Sequence, residues 1–386
     1  MLLSASLMQP VSLKRIIVFC LPGIGDTILF TPALAWLRRA YPSAHIVMLT
    51  MFQGTREAVS TNPDVDEVRH FDFFNARKWE GIRYVWNLRR ERFDLSIMAF
   101  PSNRLEYNVL NCVVGRRWRA AHRYDHQSWR NLWFLNNIVV REDRARHNVE
   151  ENLRLMGAIA DRVGTETPLT EVDRGPAPAL KVVLTAEDEQ YADQFLASRG
   201  IEPDTMLFGF HTYSSTFKNM HRKCWDKDNF AQLIARLTVE HPSARCLVFS
   251  GPHEEAVNRY ILDHVDGRVV EVRESRLRRA LALMKRCRVF ITNDSGPMHL
   301  ATAIGAPVVA LFGPTDWRRL HPWSDRHLVV RRDLPCMPCF YYSTRSLHCV
   351  ANLDYACMRD ITVDEVLVAV RQLLAQTHAK PAIAQT

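Results

Sequence analysis

One segment constrains the fold of this chain more than any other, the stretch from Val289 to Pro314, VFITNDSGPMHLATAIGAPVVALFGP. Its first part, Arg288 to Thr292, is a short β-branched and aromatic run, which predicts a buried strand of a parallel sheet. The polar residues Asn293 to Gly296 then break the strand. Pro297 fits the first turn of a helix and Gly305 its end, and a second apolar run follows. A helix that begins where a strand ends presents free backbone N–H groups, so the segment predicts an α/β fold with an anion-binding turn.

Four residues of this turn are candidate ligands for a phosphate or a nucleotide: Asp294, Ser295, Gly296 and His299. His299 lies about one turn into the predicted helix and could point back toward the same ligand. The alternative is that the serine or the aspartate only caps the helix. The turn by itself does not decide between capping and ligand binding.

The same alternation of strands and helices runs through the whole chain. Strands are predicted at Lys14 to Leu21, His45 to Thr50 and Asp94 to Phe100, and further strands follow in the second half. The sequence GPAPA from Gly175 to Ala179 has the composition of a linker. We therefore expect two Rossmann-like domains, residues 1–175 and 176–361. A final amphipathic helix, residues 362–376, is expected to pack back on the first domain.

Length and charge narrow the class of protein. A chain of 386 residues with 47% hydrophobic residues is better divided into two domains than kept as one. It has no run near the roughly 18 apolar residues of a spanning helix, and its N-terminus is a poor signal peptide, so we expect a cytoplasmic protein. The net charge of +8 favours an acidic partner, which could be nucleic acid, anionic lipid or a phosphorylated glycolipid.

Nine cysteines are present, and four of them cluster near the end of the chain with the spacing C-x2-C-x9-C-x7-C: Cys336, Cys339, Cys349 and Cys357. In a cytosolic protein, reduced thiols are expected. Only the first pair has the spacing of zinc ligands. We assign no metal site, and whether these four cysteines bind a metal stays open.

A second glycine-rich turn follows the first predicted strand and contains Gly23, Gly25 and Asp26. Glycines let the backbone turn tightly beside a ligand, and Asp26 stands at the head of the next helix. As a dinucleotide fingerprint the turn is weak, because the third glycine and the acid after the second strand are missing. The structural alternative for Asp26 is a helix-capping or first-turn acid.

Two strings carry a family resemblance. The string D-S-G-P-M-H-L-A-T-A-I-G-A-P followed by L-F-G-P-T-D, from Asp294 to Asp316, and the string G-I-G-D-T-I-L-F-T-P-A-L around Asp26 are similar to segments of glycosyltransferase family 9, the bacterial lipopolysaccharide heptosyltransferases. The resemblance implies a GT-B fold, in which two Rossmann-like domains face each other across a cleft. It also implies inverting transfer of a heptose from a nucleotide diphosphate donor, ADP-heptose, onto the lipopolysaccharide core, with Asp26 as general base and no cofactor.

The resemblance extends to the donor site. Lys223-Cys224-Trp225 resembles the family's K-x-W-P segment, whose lysine contacts the donor phosphates, although Asp226 replaces the proline and the preceding loop is longer and adds Lys218 and Arg222 as alternatives. The turn after Phe249 resembles G-G-P-x-E, which receives the ribose. That turn assigns Glu254, with Glu255 as the alternative. The hydroxyl-rich loop at Ser214 and Ser215 suits phosphate oxygens. No D-x-D pair accompanies these residues, so we predict metal-independent catalysis.

Basic residues interleaved with aromatic ones suggest where an acceptor would bind. They are Arg116, Arg117, Arg119 and Arg123, with Arg89, Arg90 and Arg92 assigned to the same surface. Such a pattern suits a phosphorylated glycolipid or a bilayer, and it also suits RNA or a plain solvated basic face. The expected partners are a nucleotide-sugar donor, a phosphorylated glycolipid acceptor and the cytoplasmic face of the membrane, contacted peripherally. No nucleic acid is expected.

Two other classes of function compete with a transferase. A nicotinamide-dependent oxidoreductase is disfavoured by the missing third glycine and the missing ribose acid. A basic nucleic-acid or lipid-binding protein with a vestigial site is the non-enzymatic alternative. The sequence does not reveal the donor sugar, the nucleobase, the acceptor hydroxyl or the oligomeric state.

Overall fold

The computed structural model describes residues 12–167, 178–251, 254–341 and 345–379. It divides into two compact units, Met1–Lys181 and Val182–Thr386. The predicted domain boundary at residues 175/176 lies outside the described residues. No helix in the described part of the chain is long and apolar enough to cross a membrane.

The first unit is built on a six-stranded parallel sheet. Its strands are β1 (Arg15–Cys20), β2 (His45–Thr50), β3 (Glu67–His70), β4 (Leu95–Met98), β5 (Trp118–Arg123) and β6 (Ile138–Arg141). Its helices are α1 (Ile24–Ala40), α2 (Gln53–Val59), α3 (Lys78–Arg90), α4 (Leu105–Val114) and α5 (Asn148–Val163). The strand order is β3-β2-β1-β4-β5-β6, so the direction of winding reverses between β1 and β4. Ligands of doubly wound sheets bind at such a switch point, outside the carboxyl ends of the strands.

The second unit repeats this plan. Its strands are β7 (Leu207–His211), β8 (Arg245–Phe249), β9 (Val269–Val272), β10 (Val289–Asn293), β11 (Val308–Phe312) and β12 (His327–Arg331). Its helices are α6 (Ala186–Ala197), α7 (Lys227–Glu240), α8 (Glu255–Asp263), α9 (Leu277–Lys285), α10 (Gly296–Ala303), α11 (Trp317–Leu320), α12 (Ala356–Arg359) and α13 (Val363–Ala379). The order β12-β11-β10-β7-β8-β9 places the switch point between β7 and β10.

The central strands are buried along almost their whole length, because helices cover both faces of each parallel sheet. In β10 all five residues are buried, as the run of apolar and β-branched residues predicted. Helix α10 ends as predicted too, since Gly305 adopts a left-handed φ of +81° just beyond it. The predicted α/β architecture of two Rossmann-like domains is confirmed.

The final helix, α13, belongs to the core of the second unit. Val366, Val370 and Leu373 are fully buried there in the same cluster as Phe208, and α13 contacts α7 and strands β10, β11 and β12. Just before the helix, the Ile361 carbonyl accepts a hydrogen bond of 2.8 Å from the indole N–H of a buried tryptophan. The apolar face of this helix is thus part of the second unit's core, and its expected packing on the first domain stays a prediction.

Candidate functional site

A buried ion pair occupies the switch point of the second unit. Asp294 directly follows β10, and Lys223 ends the short 3₁₀ segment Phe217–Lys223 that comes after β7. The Lys223 Nζ lies 2.7 Å from Asp294 Oδ2, and the Thr315 hydroxyl beyond β11 donates to the same oxygen at 2.6 Å. Three neighbouring strand ends therefore converge on one carboxylate.

The Asp294 carboxylate stays charged in spite of burial. Burial alone would raise the pKa of Asp294, but the charge of Lys223 and the hydrogen bonds from Lys223 and Thr315 outweigh it and hold that pKa below its usual value. An ammonium has three N–H bonds, and the bond to Asp294 uses one of them. Lys223 thus offers further charged donors to a ligand, which is the arrangement that suits phosphate oxygens.

At the head of α10 two buried polar atoms, His299 Nδ1 and Ser295 Oγ, have no hydrogen-bond partner among the residues that the structure describes. Ser295 is the residue before the helix, yet its side chain makes no capping bond, so the capping explanation for this serine is wrong. Burial lowers the pKa of His299 to about 4, against the attraction of Asp294, so the imidazole is neutral at pH 7. Buried polar atoms are normally hydrogen-bonded. Both atoms are therefore available to a ligand at this turn.

Glu254, at the edge of the same sheet beyond β8, is buried and firmly held. Its carboxylate accepts the Gly251 N–H at 2.7 Å and lies 3.2 Å from His211 Nε2 at the end of β7. Burial would raise the pKa of Glu254, but the hydrogen bond and charge of His211 lower it. Glu255 is exposed in the first turn of α8. The two glutamates are therefore distinct, and the predicted ribose contact of Glu254 stays a prediction.

The two predicted serines of the hydroxyl-rich loop after β7 differ in their exposure to solvent. Ser214 is buried, while Ser215 is exposed and its hydroxyl accepts the Phe217 N–H at 3.1 Å, which gives it a turn-forming role. Among the three basic residues considered, Lys223 is the one that reaches Asp294. Arg222 is exposed and lies over the ring of Tyr355.

Sequence reasoning missed two members of this site, Thr315 and His211. Thr315 follows β11, which neighbours β10, and His211 ends β7, which neighbours β8. The order of strands in the sheet was therefore the signal that could have identified both residues. A further contact fixes the lysine: the Trp225 N–H donates to Asn293 Oδ1 at 2.9 Å, which ties the end of the lysine loop to the end of β10.

In the first unit, Asp26 lies at the switch point between β1 and β4, near the start of α1, and is partly exposed. The helix is capped by Gly23, and Asp26 is a first-turn residue, so the carboxylate is not the N-cap. Pro32 inside α1 has no N–H for the Ile28 carbonyl, and the Thr31 hydroxyl donates to that oxygen instead, at 2.7 Å. The helix that carries Asp26 is thus intact.

The predicted acceptor arginines do not form one surface. Arg116 and Arg117 come before β5, whereas Arg123 ends β5 and lies at the edge of the sheet that carries Asp26. A strand rises about 3.3 Å per residue, so the two ends are roughly 20 Å apart. Arg119 lies within the strand, and its Nε donates to the Leu135 carbonyl at 2.9 Å. The remaining arginines, Arg89, Arg90 and Arg92, precede β4 and so lie at the edge opposite Asp26.

The four clustered cysteines, Cys336, Cys339, Cys349 and Cys357, line one small cavity of the second unit. Backbone hydrogen bonds, first from Tyr355, lower the pKa of the Cys349 thiol, whereas burial raises the pKa of Cys339 and Cys357. Among the described residues, no group of three or more histidine, cysteine, aspartate or glutamate side chains is placed to hold a metal ion.

Comparisons with known proteins agree with this architecture. A family model described as glycosyltransferase family 9 (heptosyltransferase) matches residues 82–350. Lipooligosaccharide heptosyltransferase 2 of Campylobacter jejuni is 29% identical over 368 residues, which cover 92% of this chain and 97% of that protein.

Two solved structures show a similar fold. A family 9 glycosyltransferase of Veillonella parvula superimposes with a TM-score of 0.75 at 21% identity, over 96% of this chain and 99% of that one. The ADP-heptose lipopolysaccharide heptosyltransferase II of Escherichia coli superimposes with a TM-score of 0.69 at 20% identity, over 95% and 99%. At these identities the likeness establishes the fold, which is GT-B.

Proposed function

Because the chain belongs to glycosyltransferase family 9 and is therefore a glycosyltransferase, we propose that it transfers a heptose from ADP-heptose onto the lipopolysaccharide core with inversion at the anomeric carbon. The observation that carries this proposal is the buried Lys223–Asp294 pair at the switch point of the second unit. A fixed ammonium beside a helix N-terminus is a site for a diphosphate. Two of the proteins named above are heptosyltransferases, and one of these is named for ADP-heptose.

The chemistry divides between the units. Asp26 accepts the proton of the acceptor hydroxyl as the oxygen attacks the anomeric carbon. The bond from that carbon to the donor phosphate oxygen breaks, and ADP leaves with the bonding electrons. The second unit holds the diphosphate, where Lys223 and the backbone N–H groups at the start of α10 stabilise the charge that develops on it.

We propose that no divalent ion takes part in this reaction. The Asp294 carboxylate is already committed to Lys223 and Thr315, and the ammonium supplies the positive charge that a metal would bring to the diphosphate. Turnover should therefore persist in excess EDTA. Loss of activity that returns with Mg²⁺ would reject this part of the proposal.

The acceptor determines the cellular location that we propose for the enzyme. A lipopolysaccharide core is built on a membrane-anchored glycolipid, and the net charge of +8 favours an anionic surface. We place the enzyme in the cytoplasm, in peripheral contact with the inner membrane. Another donor sugar or acceptor glycan within the same family is the alternative, and the identity of the transferred sugar distinguishes them.

Thermal-shift measurements with ADP, UDP, ADP-heptose and NAD⁺ test the donor site, because a ligand that binds only the folded state raises the melting temperature. ADP and ADP-heptose should stabilise the wild type and fail to stabilise Lys223→Met. The matched control is Lys227→Met, a lysine in the first turn of α7, which should respond as the wild type does. A response to NAD⁺ alone would favour an oxidoreductase, and no response to any nucleotide would leave the donor site without support.

A further inference from the structure

The outer face of α3 in the first unit carries three large exposed apolar side chains. Trp79, Ile82 and Trp86 are 51%, 71% and 53% exposed. Their spacing of three and then four residues places them on one face of the helix. A soluble helix normally keeps such residues on its core-facing side.

The inner face of α3 already satisfies the fold. Leu88 is buried in the core cluster of the first unit, and Tyr84 and Val85 pack against the same cluster. The helix is therefore anchored without its outer apolar stripe. Large apolar side chains that are exposed together on one helix face, and not scattered singly, mark an interaction site.

Further exposed apolar side chains follow the strands at the carboxyl edge of the sheet, where Asp26 lies. Phe52, just beyond β2, and Phe74, beyond β3, are exposed, and their ring centroids are 6.2 Å apart. Leu105, at the start of α4 and beyond β4, is also exposed, and α4 packs beside α3. We call these residues, together with Trp79, Ile82 and Trp86, the aromatic face.

Basic residues lie beside the aromatic face. The segment from Arg77 to Arg90 contains five basic residues and a single acid, Glu80. The Arg83 guanidinium lies 4.8 Å from the centre of the Trp79 ring, and the Arg104 guanidinium lies 5.8 Å from that of Phe74. Tryptophan and arginine combined on one helix face are typical of helices that lie in the bilayer interface, and basic residues attract anionic lipid.

We propose that the aromatic face docks the first unit on an anionic lipid bilayer, with α3 lying in the interfacial plane. Charge decides between this partner and a second copy of the chain, because pairing two such faces would bring their basic rims together. The docking brings the edge that carries Asp26 to the membrane surface. The docking deepens the membrane contact of the proposed function, and its use in transfer rests on that function, in which the acceptor is a membrane glycolipid.

Flotation of the full chain with phosphatidylethanolamine vesicles, with and without phosphatidylglycerol, tests the docking. The wild type should bind the vesicles that contain phosphatidylglycerol. The double variant Ile82→Ser/Trp86→Ser removes two large apolar side chains that would be buried in the bilayer, so binding should weaken at least about tenfold. The control is Val239→Ser/Val368→Ser, which alters two exposed valines of the second unit and should bind as the wild type does.

Two further measurements separate the possible failures. Turnover on a water-soluble acceptor fragment should be the same in the double variant and the wild type, because that acceptor does not require docking. If the wild type binds vesicles but transfers no sugar, the proposed function is rejected and the docking stands. Unchanged vesicle binding of the double variant would overturn the docking. A wild-type dimer in sedimentation that the double variant abolishes, without vesicle binding, would also overturn it and favour a second copy.

Discussion

At the reversal of strand order, the first unit presents the partly exposed Asp26, whereas the second presents the buried pair Lys223 and Asp294. The strand order around both sites is the same. Around Asp26 the edge of the sheet is rimmed by exposed apolar side chains such as Phe52 and Phe74. Around Asp294 it is lined by buried polar groups that hold one another, such as Thr315.

The two sites differ in the contacts that fix their charged side chains. The charges of the second unit are fixed by contacts that also stabilise the unit, so a change there should affect stability as well as binding. Asp26 is a first-turn residue of a helix that Gly23 caps, so a change at Asp26 leaves the helix cap in place. A preorganised binding site for a charged ligand needs side chains that are fixed in place, whereas a general base needs to be accessible to its substrate.

The largest expected effect is on turnover. Asp26→Asn should lower kcat by about 10²- to 10⁴-fold, which is what a general base contributes, with the dissociation constant for ADP unchanged. The free energy of unfolding should stay within about 0.5 kcal/mol of the wild type. The measurements are heptose transfer, calorimetric titration with ADP and urea unfolding. Glu106→Gln, an exposed first-turn acid of α4, is the control, and full activity of Asp26→Asn would reject the base.

The next effect is on the stability of the second unit. Asp294→Asn leaves the buried Lys223 without its partner, and such a change costs about 3–5 kcal/mol. Urea unfolding should show this loss, in contrast to Asp26→Asn. The double variant Lys223→Met/Asp294→Leu removes both charges and should recover most of the stability but not the binding of ADP. Equal stability of Asp294→Asn and the wild type would remove the distinction between the two sites.

The strand and helix pattern could be predicted from sequence, and the pairing of side chains could not. The β-branched run of β10, Pro297 and Gly305 act locally, so their structure follows from neighbouring residues. The contact between Lys223 and Asp294 joins residues 71 positions apart and depends on the order of strands in the sheet. The prediction of a single arginine surface also depended on the position of a strand. Arg116 and Arg117 precede β5 and Arg123 ends it, so they lie at opposite ends of that strand.

A smaller effect should appear in the pH dependence of stability. The pKa of His299 is about 4 in the folded protein and has a usual value of 6.5. As the pH falls from 6.5 to about 4, the unfolded chain binds a proton that the folded chain does not, so the free energy of unfolding falls by roughly 3 kcal/mol. His299→Gln should remove this loss, whereas His264→Gln, at an exposed position, should retain it. The lowered pKa of Asp294 costs stability mainly near pH 4 and below, and the comparison of the two histidine variants with the wild type separates that loss from the one due to His299.

The smallest effect concerns Ser295, and it compares two residues that precede helices. The Thr185 side chain accepts the Asp188 N–H and caps α6, so Thr185→Ala should lower the free energy of unfolding by about 1 kcal/mol without changing ADP affinity. The buried Ser295 hydroxyl has no hydrogen-bond partner within the described part of the chain and makes no capping bond to α10. Ser295→Ala should leave stability within about 0.5 kcal/mol and weaken ADP binding three- to tenfold, the value of roughly one hydrogen bond. Urea unfolding and calorimetric titration of both variants measure the two quantities. If Ser295→Ala loses stability and keeps its ADP affinity, the serine is structural, and the turn after β10 binds the diphosphate through Lys223 and the backbone alone.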